Sequence, residues 1–162
     1  MPDLICNTSP LQYLFQVGLL HVLPELTGRI VIPPAVAEEL AIGRTAGVNL
    51  PDPTRLEWVS IRRPTSAAAL PLTTDLGAGE AEVLMLVLDS REAIAVLDDA
   101  LARRAAAMLR LRMTGTLGLL FDAKRAGLIP AVGPVLDLLQ ALPFRVASHT
   151  RAAILALAGE TA

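Results

Sequence analysis

The chain has 162 residues, 53% of them apolar and only 3% aromatic, with a formal net charge of −2 at neutral pH. That length suits a single domain with a sizeable core built mainly from Ala, Leu and Val. No stretch of about 18 residues is apolar and free of charge or proline, which excludes a membrane-spanning helix.

The opening MPDLICNTSP lacks the basic region and apolar run of a secretory signal. Cys6 is the one cysteine, so neither an internal disulfide nor a thiolate metal site is possible, and it reads as a small buried residue. A cytoplasmic protein is the expectation. The charge distribution says more than the total. Residues 1–99 carry 13 acids against 6 bases, whereas residues 100–125 carry 6 bases (Arg103, Arg104, Arg110, Arg112, Lys124, Arg125) and Asp122 alone as acid. An acidic focus beside a basic stretch suits a metal site next to a polyanion, although solvated basic helix faces are common.

In chain order, Leu4–Cys6 reads as a short buried strand. Asn7-Thr8-Ser9-Pro10 starts a helix, with Leu11, Leu14 and Phe15 at helical spacing. A short helix over Leu20–Leu26 is stopped by Thr27-Gly28, and Arg29–Ile32 is the second strand. Pro33-Pro34 opens a helix through Ala41, closed by Gly43. Residues 43–75 are irregular, interrupted by Pro51, Pro53, Pro64 and Pro71, with Leu56–Ile61 an edge strand in which Trp58 packs.

Leu76-Gly77-Ala78-Gly79 introduces a helix over Glu80–Ser90, followed by a strand over 93–97 and a helix over about 99–109. Leu111–Met113 reads as another strand, and Thr114-Gly115-Thr116 caps a helix ending at Gly127. Pro130–Leu142 and Arg151–Ala158 are further helices, with Phe144–Ala147 a strand between them. Strands alternating with helices predict an α/β fold with a parallel sheet. Residues 1–162 form one domain, in which 130–162 is a helical extension that covers the sheet or forms a dimer contact.

The most informative stretch is AIAVLDDALARR over 93–104, a strand ending in two carboxylates at the start of a helix. In open α/β sheets ligands bind beyond the carboxyl ends of the strands. A helix N-cap explains one aspartate well and a pair less well. Glu80 shares its helix face with Leu84 and Val87 and points inward, where an acid needs a cation or hydrogen bonds. Glu82 lies on a more mixed surface. Glu39 shares a face with Ala35 and Val36, and Glu38 lies about 100° further round.

Glu39, Glu80, Asp98 and Asp99 thus come from three segments able to converge at one end of the sheet. Clustered carboxylates repel unless a divalent cation neutralises them, and all-oxygen ligands select Mg²⁺ or Mn²⁺. Such ions support phosphodiester displacement. Other chemistries fit less well. Glu82 stands where a dinucleotide-binding loop needs its third glycine, no phosphate-binding loop or nucleophile elbow is present, and His21 and His149 are isolated.

The stretches Asn7–Pro10, Ile32–Leu40 (IPPAVAEEL), Gly77–Glu82 (GAGEAE), Leu97–Arg104 (LDDALARR), Thr114–Gly118 (TGTLG) and Ala123–Ile129 (AKRAGLI) together resemble the PIN-domain superfamily. The closest likeness is to an uncharacterised branch (DUF3368-like) related to toxin ribonucleases of the VapC type. The resemblance implies a three-layer α/β/α sandwich around a parallel sheet of four or five strands, and Mg²⁺- or Mn²⁺-dependent cleavage of RNA. It implies Glu39, Glu80, Asp98 and Asp99 as catalytic acids, with Asn7, Glu80, Asp98 and Asp99 at the metal and either aspartate as the direct ligand.

By the same resemblance Thr8, Ser9 and Thr116 are supporting hydroxyls, and a cognate antitoxin and a homodimer are expected partners. Arg103, Arg104, Arg112 and Lys124, from the basic stretch, are the candidate RNA-binding residues. One departure matters: ribonucleases of the superfamily usually carry Asp where this chain has Asn7. An amide oxygen coordinates a hard cation but brings no charge and cannot act as a base, so weaker metal binding is expected. The competing readings are a PIN-like binding module with little catalysis and an α/β protein whose acids are helix caps.

Overall fold

A computed structural model describes residues 1–65 and 75–160; Pro71 of the irregular segment lies outside them. The strands are β1 (Leu4–Cys6), β2 (Ile30–Ile32), β3 (Val59–Ile61), β4 (Ile94–Val96) and β5 (Met113–Thr114). All pair in parallel, in the order β3-β2-β1-β4-β5. Leu4 of β1 lies opposite Ile30 of β2 on one side and Ile94 of β4 on the other. Every residue of β1 and β2 is buried, as expected for strands covered on both faces.

The helices are α1 (Thr8–Gln16), α2 (Val22–Leu26), α3 (Pro34–Thr45), α4 (Ala78–Asp89), α5 (Ala100–Met108), α6 (Thr116–Arg125), α7 (Gly133–Gln140) and α8 (Ser148–Leu157). They flank the sheet in a three-layer α/β/α arrangement. α4 packs on β1 and β4 with α3 and α5 beside it, while α6 gathers α1, α2 and α8. The centre of α4 is apolar nearly all round: Val83, Leu84, Met85, Leu86 and Val87 are all buried. That is the pattern of a helix enclosed by neighbours rather than lying on a surface. Among the described residues no helix is long and apolar enough to cross a membrane.

Several boundaries differ from the sequence expectation for local reasons. α3 continues through Gly43, where a Cβ would run into the Leu50 side chain, and ends at Thr45, with Gly47 beyond its cap in the left-handed region at φ +88°. α7 begins at Gly133 with a proline in its first turn, not at Pro130. Phe144–Ala147 forms no strand. Apolar Phe144 and Val146 turn inward and Arg145 and Ala147 outward, and none of the four pairs with a strand of the sheet. Cys6 and Trp58 pack as expected, the first wholly buried and the second partly. His21 and His149 are exposed.

Candidate active site at the carboxyl edge of the sheet

From β1 the chain builds outward to β2 and β3, then returns to lay β4 on the other flank of β1. The carboxyl ends of β1 and β4 therefore border the crevice where open α/β sheets bind ligands. Asn7 follows β1 directly, its N–H donating to the Val96 carbonyl at 3.1 Å. Asp98 lies just beyond β4.

Asn7 is the N-cap of α1, yet its side chain makes no cap hydrogen bond. A capping Asn ordinarily turns its oxygen onto the second or third N–H of the helix. Here the residue is 2% exposed, and Oδ1 is the one buried side-chain polar atom without a partner among the described residues. An unpaired buried acceptor costs about 1–3 kcal/mol.

The Glu39 carboxylate, from α3, accepts from the Thr8 hydroxyl and from Gly79 N at 3.1 Å. A Cβ on Gly79 would lie 2.9 Å from Asn7 Oδ1 and 2.9 Å from each Glu39 carboxylate oxygen. The amide and the carboxylate therefore meet over bare backbone at the first turn of α4. Glu80, the next residue, folds back onto Gly77, whose missing Cβ would stand 2.5 Å from Oε2.

Asp98 and Asp99 point to different sides of the junction, though both reach the cleft. Asp99 is exposed and caps α5, its Oδ2 accepting from Ala102 N at 2.9 Å, a contact worth about 1 kcal/mol. Asp98 turns inward. Its Oδ1 accepts from Thr116 N at 2.8 Å and its Oδ2 from Thr116 Oγ1 at 2.6 Å. Burial pushes the Asp98 carboxyl above its ordinary value, while the two Thr116 bonds and the Arg103 guanidinium act against that shift. Gly115 makes room for this, since a Cβ there would lie 2.8 Å from Asp98 Oδ1 and 3.0 Å from Arg103 Nη1. Burial, and then the nearby Asp98 charge, pushes the Cys6 thiol up to about 12. Cys6 is therefore no nucleophile at neutral pH.

Ser9, Glu80, Asp98, Asp99 and Arg103 line one cleft of about 800 Å³. Asn7, Thr8 and Glu39 are not part of its lining; they form the buried corner around Gly79. Among the described residues, no three His, Cys, Asp or Glu side chains stand close enough to hold a metal ion. The observation that does suit a cation is the unpartnered Asn7 oxygen, together with a donor set made wholly of hard oxygens.

The basic stretch does not form one patch. Arg103 lines the cleft, but its Nη1 donates to the Leu97 carbonyl at 2.9 Å. Arg104 is exposed outside the lining. Arg112 borders a separate cavity of about 510 Å³ with Leu4 and Ile94, at the amino ends of β1 and β4, and donates to the Glu92 carbonyl at 3.1 Å. Lys124 is held at 2.9 Å by Glu160 near the end of the chain and lies outside the cleft lining.

Sequence reasoning missed three features. Glu82, set aside as a mixed-surface residue, accepts from Ala35 N at 2.9 Å and ties α4 to the start of α3. Tyr13 on α1 lines the cleft, and so does the segment joining α7 to α8 through Phe144 and Arg145. Nothing local in the chain signals these, because each depends on partners far away in sequence.

A family model described as a PIN domain (DUF3368) matches residues 3–160. No curated protein and no solved structure matches the chain.

Proposed function

Because the chain belongs to the PIN-domain family, whose members are typically metal-dependent nucleases, we propose that it is a Mg²⁺- or Mn²⁺-dependent endoribonuclease, the toxin of a VapC-like toxin–antitoxin pair. The observation that carries this reading is the Asn7 side chain, which gives up its helix cap to leave a buried oxygen unpaired at the crevice. A residue that breaks a local rule at no evident gain is the expected mark of a functional position.

Asn7, Asp98 and Glu80 would hold the ion. When bound, it supplies water activation and neutralises charge on the phosphodiester. Thr116 fixes both oxygens of Asp98, so the carboxylate waits in one orientation. Glu39 holds Thr8 and the Gly79 backbone in register behind Asn7. Asp99 remains the helix cap, and Arg103 balances the charge of Asp98. A cognate antitoxin covers the cleft in this reading, and the protein works as a homodimer.

The test is cleavage of a mixed RNA pool by the purified protein with Mn²⁺, against EDTA and against Asp98→Ala. Cleavage that needs both the ion and Asp98 supports the proposal. Cleavage unchanged in Asp98→Ala would sink it.

A second reading, a PIN-like binding module with little catalysis, is favoured by the uncharged Asn7 and by its closeness to the Glu39 carboxylate. With its amide turned over, Asn7 would donate to Glu39 and hold the corner together without any ion. RNA bound without cleavage, together with no Mn²⁺ uptake in calorimetry, would select this alternative.

A further inference from the structure

A cleft lined by Glu80, Asp98 and Asp99 repels the phosphates of a nucleic acid unless cations face it. The basic stretch 100–125 supplies only Arg103 to the lining, and that guanidinium is engaged with Leu97 O and Asp98. The other cation of the lining is Arg145. It is exposed and, among the described residues, makes no hydrogen bond or ion pair.

Its position is nevertheless defined. Phe144 is buried and meets the Tyr13 ring edge-on, with centroids 5.0 Å apart. The Tyr13 hydroxyl donates to the Pro143 carbonyl at 3.4 Å. In this extended segment successive side chains point to opposite sides, so anchoring Phe144 inward turns Arg145 outward.

We propose that Arg145 binds a backbone phosphate of single-stranded RNA and seats it across the acidic cleft. This rests on the ribonuclease reading above and adds the substrate contact that reading lacks. An exposed, unpaired guanidinium is suited to the role, because it offers a fork of donors without first breaking an internal contact. Phosphate contacts position a nucleic acid without selecting its sequence, so Arg145 governs affinity and register rather than base preference.

The test measures binding of a short fluorescein-labelled single-stranded RNA by anisotropy, with Ca²⁺ in place of Mn²⁺, across a series of salt concentrations. Arg145→Ala is expected to weaken binding roughly tenfold, the size of one lost charge-assisted contact. The slope of log affinity against log salt should become shallower by about 0.7, the value for one phosphate on a single strand. Arg145→Lys should restore most of both. Arg29→Ala, at the opposite end of the sheet, should change neither.

RNA binding by the wild type with an unchanged slope in Arg145→Ala overturns this inference and leaves the ribonuclease reading standing. A wild type that neither binds nor cleaves RNA overturns both. Thermal melts of the two Arg145 variants separate lost binding from lost folding.

Discussion

Thr116→Val tests the buried carboxylate directly, because it removes one hydroxyl and keeps the shape of the side chain. Thr116 is wholly buried, and its hydroxyl donates to Asp98 Oδ2 at 2.6 Å. A hydrogen bond to a charged group is worth about 1.5–3 kcal/mol, and the Thr116 N–H remains to hold the other oxygen. The loss should therefore lie near 2 kcal/mol where Asp98 is ionised.

The pH dependence gives the sharper reading. Burial raises the Asp98 carboxyl in the folded chain, so the folded state holds its proton more tightly than the unfolded state. Its contribution to stability is fully present below the unfolded carboxylate value, about 4. That contribution is lost as pH rises through the folded value. Removing the hydroxyl penalises only the ionised form, so the variant should lose more at pH 8 than at pH 4. Urea unfolding followed by circular dichroism at the two pH values measures this. Equal losses at both, or no loss at either, would refute the assignment of Asp98 as the buried anion of the crevice.

Three further outcomes follow from the same corner of the fold and from the far end of the chain. Asn7→Asp should tighten Mn²⁺ binding in calorimetry, yet lower stability without metal by several kcal/mol, the cost of a buried unpaired charge. Gly79→Ala should cost about 1–3 kcal/mol and abolish RNA cleavage, since its Cβ meets Asn7 and Glu39 at 2.9 Å; wild-type activity in that variant would show the corner to be dispensable. Glu160 is held down to about 2 by the Val132 N–H, then by Lys124 and the Gly133 N–H. Its stabilisation is present above the ordinary value of 4.5 and is lost as pH falls through about 2, so Glu160→Gln should melt lower at pH 7 and converge with the wild type in strong acid.

The order of strands and helices was legible in the sequence because each crossover is punctuated by a local signal: Pro10 after Asn7, the Pro33-Pro34 pair, the glycines before Glu80. The choice between Asp98 and Asp99 was not. Neighbouring residues at a strand-to-helix junction point to different sides, and the inward one is identified only by Thr116, 18 residues on. Charge patterning marks Lys124 as a candidate nucleic-acid contact but cannot reveal its ion pair with Glu160, 36 residues away. The alternation over Phe144–Ala147 was real, but alternation reports an extended backbone with one buried side, and a strand needs a neighbour to pair with.

The Glu160 carboxylate accepts from Val132 N at 2.8 Å and Gly133 N at 2.9 Å and grips Lys124, so it ties residues after α8 to the start of α7 and to α6. Between α7 and α8 lies the segment that carries Phe144 and Arg145 to the cleft. During translation β1, β4 and all the acids emerge well before this clasp can form. The clasp itself can close only when residue 160 has left the ribosome, and a nascent chain still short of it carries the acids with that wall held by the Phe144–Tyr13 contact. The order of synthesis thus places the last fastening of this side of the fold after every element that carries an acid of the cleft.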